Sequence, residues 1–75
     1  MAAELVDVRL FYKNRRIADV TTTADPKNPE DLEQLFRDML KRDPKSDRRE
    51  HIDYEIVLHR QGTWQKVATY TGRGR

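Results

Sequence analysis

The chain has 75 residues, and 37% of them are charged, yet fifteen basic and thirteen acidic side chains leave a net charge of only +2. A chain of this length forms a single small domain, and its nearly balanced charge argues against a partner selected by bulk electrostatics alone. Cysteine is absent, which excludes disulfide bonds, a thiol nucleophile and cysteine-bound zinc.

The first two predicted elements are strands joined by a short turn. Apolar and polar side chains alternate over residues 6–12, which is typical of a half-buried strand, and residues 17–23 form a second β-rich run. Residues 13–15 are predicted to form a three-residue loop between them. In the register that this loop sets, the cross-strand partners are Leu10 and Ala18, Val8 and Val20, Arg9 and Asp19, and Phe11 and Ile17.

The strongest signal in the chain is a helix over residues 29–42. Asn28 is a natural N-cap, Pro29 fits the first helical position, and Pro44 ends the helix. Apolar side chains recur along it at i, i+3, i+4, i+7 and i+8 and form one stripe. The residues of this stripe, which we expect to pack on the sheet, are Leu32, Leu35, Phe36, Met39 and Leu40.

Alternation returns over residues 52–59 and predicts a third strand, and Gly62 marks the turn into a fourth. A three-residue turn at residues 60–62 places Trp64 in the core. The resulting partners are Leu58 and Trp64, Tyr54 and Ala68, and Ile52 and Tyr70. A two-residue loop is the alternative, and it would turn Trp64 outward beside Val57.

Two hairpins joined by a helix predict a ββαββ chain of the α+β class. A right-handed crossover from the second strand to the third that skips the first gives one antiparallel sheet of four strands in the order 2-1-3-4, with the helix on one face. We expect one domain over residues 1–75, in which residues 72–75 form a flexible basic tail.

Few residues of this chain are arranged to carry catalysis. Ser46 is the only serine and has no glycine-rich turn around it, and His51 and His59 lie about 26 Å apart along an extended chain. Asp53 and Glu55 share one strand face, but that face is an open surface without a pocket. No phosphate-binding loop is present. We therefore expect no enzyme activity, no metal and no cofactor.

The preferred hypothesis is a protein-binding module. In the predicted registers, the face away from the helix carries apolar side chains among charges of both signs, which is typical of a protein-binding surface. The residues expected to contact a partner there are Arg9, Phe11, Ile17, Val57 and Val67. The second strand would be an unpaired edge, to which a partner strand or a second copy of the chain, forming a homodimer, could add.

The alternative hypothesis is nucleic-acid binding. Residues 48–75 carry six basic and three acidic side chains, a net charge of +3, and the chain ends in Gly-Arg-Gly-Arg. The residues expected to contact phosphates are Lys13, Arg15 and Arg16 in the first loop and Arg73 and Arg75 in the tail. Against this hypothesis, the predicted sheet face offers one aromatic side chain, Phe11, beside the carboxylates of Asp53 and Glu55.

No segment reads as a signal peptide or a membrane anchor. Glu4 stands where a signal peptide requires basic residues, and no apolar run approaches the ~18 residues of a membrane span. Together with the absence of cysteine, these features predict a cytoplasmic protein without membrane contact.

Overall fold

The structure is a computed structural model that describes residues 3–72. Its elements are, in chain order, β1 (Glu4–Tyr12), β2 (Arg15–Ala24), α1 (Pro29–Leu40), two 3₁₀ turns (Ser46–Arg48 and His51–Asp53), β3 (Tyr54–Arg60) and β4 (Gln65–Thr71). The strands form an antiparallel sheet in the order β2-β1-β3-β4, and α1 packs on one of its faces. The predicted ββαββ topology and strand order are therefore confirmed.

Local signals at both ends determine the position of α1. The Oδ1 atom of Asn28 accepts a hydrogen bond from the N–H of Glu30 at 2.9 Å, and Pro29 occupies the first helical position, as predicted. The helix ends at Leu40, two residues earlier than predicted. The reason is that the N–H of Asp43 bonds to the C=O of Leu40 at 3.1 Å, only three residues back, which tightens the chain into 3₁₀ geometry.

The core lies between α1 and one face of the sheet. Alternate strand residues and one helix stripe are buried there, namely Val6, Val8, Leu10, Tyr54, Ile56 and Leu58 from the sheet and Leu35, Phe36, Met39 and Leu40 from the helix. The ring centroid of Phe36 lies 5.2 Å from that of Tyr70 and 6.5 Å from that of Tyr54. The predicted packing of the helix stripe on the sheet is therefore confirmed.

The first hairpin has the predicted pairing over most of its length but a shorter turn. The partners predicted for Val8, Arg9 and Leu10 are confirmed as Val20, Asp19 and Ala18. Phe11, however, lies opposite Arg16 and not opposite Ile17. The turn consists of residues 13–14, with φ of 48° and 69°, a geometry that fits the twist of a two-residue hairpin. Ile17 is the extra residue of a β-bulge, which alternation along the chain does not reveal.

The second hairpin departs further from the prediction. Leu58 pairs with Ala68 and not with Trp64, and the turn contains four residues between Arg60 and Gln65. Trp64 ends this turn and is 64% exposed, so its predicted place in the core is wrong. The outward direction of the alternative is correct, although its two-residue loop is not. A bulge in β4 accounts for the change of register beyond Leu58.

The third strand begins two residues later than predicted. Ile52 lies in the 3₁₀ turn His51–Asp53 before β3, and its side chain is 48% exposed. The last C=O of that turn accepts a hydrogen bond from the N–H of Lys13 at 3.1 Å, which holds the turn against the first hairpin. The predicted pairing of Ile52 with Tyr70 is wrong, because Tyr70 lies opposite Ile56.

Candidate functional site

The sheet face away from α1, here called the open face, presents three rows of side chains across the four strands. In the order β2, β1, β3, β4, the rows are Arg16, Phe11, Glu55 and Thr71; Asp19, Arg9, Val57 and Thr69; and Thr21, Asp7, His59 and Lys66. Paired Cβ atoms on one face lie about 4.5–5.5 Å apart, so neighbours within a row are close enough to interact. The open face therefore mixes aromatic, apolar and charged groups.

Trp64 adds a large aromatic surface to the open face from the β3–β4 turn. The guanidinium carbon of Arg9 lies 5.0 Å from the centre of the indole, and the ring of His59 lies 6.1 Å from it. The φ of Trp64 is 53°, in the left-handed region that bulky side chains rarely adopt. A strained backbone therefore holds the indole beside Arg9 and His59 while most of its surface stays in solvent.

Arg9 connects the charged groups of the open face. Its Nε lies 3.3 Å from Oδ2 of Asp19, and its Nη2 lies 3.7 Å from Oδ2 of Asp7. The buried Nε–H is nevertheless not aligned for a hydrogen bond with any acceptor among residues 3–72. Arg9 is thus neutralised by two carboxylates but keeps one buried donor without an aligned acceptor.

Asp7 is the most deeply buried charged group of the open face, with 7% of its surface exposed. A hydrogen bond between its carboxyl group and that of Asp19 raises the pKa of Asp7, as do burial and the negative charge of Asp19, while Arg9 and His59 oppose this rise. Opposite Asp7 on β3, the Nδ1 of His59 is buried and bonded to no described residue. The cluster therefore combines two interacting carboxyl groups with two unsatisfied nitrogen atoms, one on Arg9 and one on His59.

The structure brings together three of the five predicted protein-binding residues. Arg9 pairs directly with Val57, and Phe11 is the next open-face residue along β1. The prediction that Ile17 and Val67 also lie on this face is wrong, because each is the extra residue of a bulge and packs against the core. The tryptophan of the β3–β4 turn was missed, since its position depends on a turn length that the sequence pattern does not determine.

The predicted phosphate-binding residues of the first hairpin are exposed at one end of the sheet. They are Lys13, Arg15 and Arg16. At the same end, a shallow depression is lined by residues that include Phe11, Lys13, Asn14, Asp53, Glu55 and Thr71. The depression therefore combines a basic and an aromatic side chain with two carboxylates. The other two predicted contacts, Arg73 and Arg75, lie outside the described residues.

Gly72, predicted as the first residue of a flexible tail, contacts the folded domain. Its N–H donates to the C=O of Tyr54 at 3.0 Å. A Cβ atom at this position would lie 1.4 Å from the carbonyl oxygen of His51. The backbone of the 3₁₀ turn thus occupies the space of a side chain, and glycine is required here for close approach.

A second buried carboxylate lies in the loop after α1. Asp43 is 5% exposed and accepts hydrogen bonds from the O–H of Tyr54, from the N–H of Lys45 at 3.0 Å and from Nη1 of Arg49 at 3.2 Å. Burial alone would raise the pKa of Asp43, but these donors outweigh it and lower that pKa. Burial and the bond to Asp43 raise the pKa of Tyr54 to about 12. We assign this cluster a structural role, because its polar groups bond to one another and thereby hold the loop against the sheet.

Other kinds of site are not found in the described part of the chain. Among residues 3–72, no group of three or more His, Cys, Asp or Glu side chains is arranged to hold a metal ion, and no helix is both long and apolar enough to cross a bilayer. Comparisons with protein-family models, curated proteins and solved structures find no match for this chain. The geometry of the open face is thus the basis for assigning a function.

Proposed function

We propose that this protein is a small, non-catalytic module that binds another protein through the open face, with Trp64 as the anchor. Tryptophan and arginine are among the residues most enriched where binding energy is concentrated, and here an indole lies against the guanidinium of Arg9. Val57 and Phe11 extend the same surface along the central strands. The partner fits this face if it supplies an apolar pocket for the indole and polar groups around it.

The observation that carries this proposal is the strained and exposed backbone position of Trp64. Glycine or asparagine adopts a φ of 53° with less strain, and an indole in solvent gains little from burial. Neither the turn nor the core therefore accounts for a tryptophan at this position. An interface does, because covering the indole provides burial that the isolated chain lacks.

The polar groups beneath the indole also support a protein partner. The Nε of Arg9 and the Nδ1 of His59 are buried without hydrogen bonds, so the chain by itself leaves the polar groups of this cluster incompletely paired. Asp7 and Asp19 offset the charge of Arg9, so the open face has little net positive field. A surface of this kind suits the mixed rim of a protein interface better than a chain of phosphates.

The substitution Trp64→Asn tests the anchor directly. Asparagine tolerates positive φ, so the turn persists without the indole, and we expect the melting temperature to change by less than about 4 °C. Partners are sought by cross-linking and affinity capture from an extract of the source organism, with both proteins side by side. Arg37→Asn is the control, since Arg37 is an exposed residue of α1, on the opposite side of the sheet from the open face. We expect the partner to be lost with the first variant and retained with the second.

Three outcomes would contradict this assignment. The first is a partner that Trp64→Asn binds as well as the wild type does, and the second is loss of the partner by both variants. The third is a wild-type chain that captures nothing and sediments as a monomer at high concentration. A homodimer that dissociates on Trp64→Asn would instead identify the partner as a second copy of the chain. Sedimentation and capture therefore distinguish a heterologous partner from self-association.

Nucleic-acid binding is the second candidate, and one observation favours it. The basic turn of the first hairpin and the end of β4 line the same depression, through Lys13 and Thr71, and Phe11 lies beside them. The exposed basic side chains of the first hairpin, Lys13, Arg15 and Arg16, would contact a phosphate backbone at this depression. Two carboxylates on the rim of the depression, those of Asp53 and Glu55, repel phosphates, and this places the candidate second.

Anisotropy of labelled single-stranded RNA and DNA at low and high salt tests this candidate. If phosphates are contacted, the double variant Arg15→Glu, Arg16→Glu weakens binding and reduces its dependence on salt. Trp64→Asn would have a smaller effect on that salt dependence, because the indole carries no charge. Absence of salt-dependent binding by the wild type at low salt would eliminate the candidate.

A further inference from the structure

The outer edge of β2 is a free strand edge. β2 has ten residues and pairs only with β1, so alternate residues direct their N–H and C=O groups away from the sheet. The other edge strand, β4, is shorter and carries Lys66 and a bulge, which are usual protections against strand addition. The last five residues of β2, from Val20 to Ala24, contain no charge, no proline and no bulge.

A groove runs between this half of β2 and the side of α1. The strand contributes Thr22, Thr23 and Ala24, and the helix contributes Asp31, Gln34, Leu35 and Asp38. A strand added to β2 would lie along this groove and direct every second side chain toward α1. The groove therefore offers backbone hydrogen bonds on one side and side-chain contacts on the other.

The charge of the groove indicates which peptide fits it. Asp31 accepts a hydrogen bond from the N–H of Asp25 at 2.9 Å, and Asp38 accepts one from the side chain of Gln34 at 3.0 Å, so both carboxylates are held in place. No Lys or Arg of residues 3–72 lies within 4.0 Å of either carboxylate. Seven residues separate them along the helix, a rise of about 10.5 Å, which long basic side chains two or four positions apart on a strand can span.

We propose that the β2–α1 groove binds an extended peptide segment with lysine or arginine at alternate positions, which adds to the sheet as a fifth strand. A second copy of β2 is a poorer occupant. Antiparallel pairing of two β2 edges about a two-fold axis places both helices on the same side of a continuous sheet, where the carboxylates of Asp31 and Asp38 face their symmetry mates. This site is separate from the open face, so it stands or fails independently of the function proposed above.

The probe for the site is a blocked ten-residue peptide of alternating lysine and threonine, titrated into isotope-labelled full-length protein at low salt. We expect amide signals of β2 and α1 to shift, those around Trp64 to stay, and the outward amides of β2 to exchange more slowly with solvent. The charge reversal Asp38→Lys should weaken binding about 5-fold or more. Glu33→Lys is the matched control, because it makes the same change of net charge outside the groove and should have little effect.

Each remaining outcome overturns the inference. Equal weakening by Asp38→Lys and Glu33→Lys would mean attraction to net charge alone. Equal binding of a glutamate–threonine peptide would exclude charge recognition. Strand addition would be excluded if two peptides, one N-methylated on every lysine and the other on every threonine, both bind as well as the unmethylated peptide, because one of the two sets of N–H groups must face β2. Shifts confined to the open face, or a dimer that the lysine peptide does not displace, would assign the β2 edge a different occupant or none.

Discussion

Asp43 and Asp7 are both buried carboxyl groups, but their surroundings differ. Around Asp43, a hydroxyl, a backbone N–H and a guanidinium all donate to the carboxylate, and its pKa is lowered despite burial. Around Asp7, the nearest charged neighbours are the carboxyl group of Asp19 and a guanidinium 3.7 Å away, and the pKa of Asp7 is raised. The carboxylate of Asp43 thus has its hydrogen-bond donors within the chain, whereas the cluster around Asp7 contains two buried nitrogen atoms without hydrogen bonds.

The difference separates a site that holds the fold together from the site that we propose as a binding surface. A buried polar group with all its hydrogen bonds contributes to stability, whereas an unsatisfied one persists only where surrounding structure supports it. The Asp43 cluster fastens the loop after α1 to β3, and the Asp7 cluster lies beneath the exposed indole of Trp64. We therefore expect substitutions in the first cluster to destabilise the fold and substitutions in the second cluster to be tolerated by it.

The largest expected effect follows from Asp43→Ala. Removing the carboxylate leaves the O–H of Tyr54 and the guanidinium of Arg49 without their acceptor, and we expect unfolding free energy to fall by about 3 kcal/mol. Urea unfolding followed by circular dichroism measures this change. Asp47→Ala, an exposed aspartate in the same loop, is the control and should change stability by less than about 0.5 kcal/mol. A loss below about 1 kcal/mol for Asp43→Ala would show that the cluster is not structural.

Gly72→Ala should have the next largest effect. Its Cβ would overlap the carbonyl of His51, so either the end of β4 or the 3₁₀ turn before Tyr54 must move, and we expect a loss of about 1–3 kcal/mol. Gly62→Ala is the comparison, because its positive φ is unfavourable but the space around it is open, and about 1 kcal/mol is expected there. Thermal unfolding of both variants ranks them. A smaller loss at position 72 than at position 62 would mean that the chain end does not pack as described.

The third substitution, Asp7→Asn, should stabilise the protein at neutral pH. A raised pKa means that the folded state disfavours ionised Asp7, so wild-type stability falls as pH rises from about the ordinary value of 3.8 through the folded pKa. Asparagine removes that penalty, and we expect a gain of about 0.5–1 kcal/mol at pH 7 and none at pH 3. Urea unfolding across this pH range measures the gain. A loss of stability at pH 7 would show that ionised Asp7 is favourably paired with Arg9.

The pH dependence at Asp43 has the opposite sign. Its lowered pKa contributes stability that is present above the ordinary value of 3.8 and is lost as pH falls through the folded pKa. The difference in unfolding free energy between wild type and Asp43→Ala should therefore become smaller in acid. The difference between wild type and Asp7→Asn should instead appear only as the pH rises. If both differences in unfolding free energy change with pH in the same direction, the contrast between the two clusters would be contradicted.

Trp64→Gly should change stability least, by less than about 0.5 kcal/mol. Relief of backbone strain at a φ of 53° offsets the lost contact between the indole and Arg9. Thermal unfolding measures the small change, and the capture experiment measures the loss of the partner on the same sample. A variant that unfolds would place Trp64 among the structural residues.

Much of the fold is predictable because its signals are local. The cap at Asn28, the helix stripe and the alternation along β1 and β3 each involve neighbours in sequence, and the strand order follows from general rules of connection. The two bulges are not predictable in this way. An inserted residue such as Ile17 or Val67 reverses which face the following residues occupy without changing the apolar pattern.

The candidate site was predictable only in part. Arg9, Phe11 and Val57 lie on regular stretches of central strands, so their common face follows from alternation. Trp64 depends on a four-residue turn with positive φ, and the burial of Asp7 and Asp43 depends on groups distant in sequence. Contacts between residues distant in sequence produce no periodic pattern along the chain, so these features could not be predicted from it.

The exposure of Trp64 has a spectroscopic consequence. It is the only tryptophan of the chain, and its indole lies outside the core, so the emission of the native protein reports the environment of the open face. Unfolding transfers this indole from one aqueous setting to another and should shift the emission maximum only slightly. A ligand that covers the indole should move the maximum toward shorter wavelength, and quenching by iodide should fall with it. One native chromophore thus distinguishes occupancy of the open face from loss of the fold, without any label.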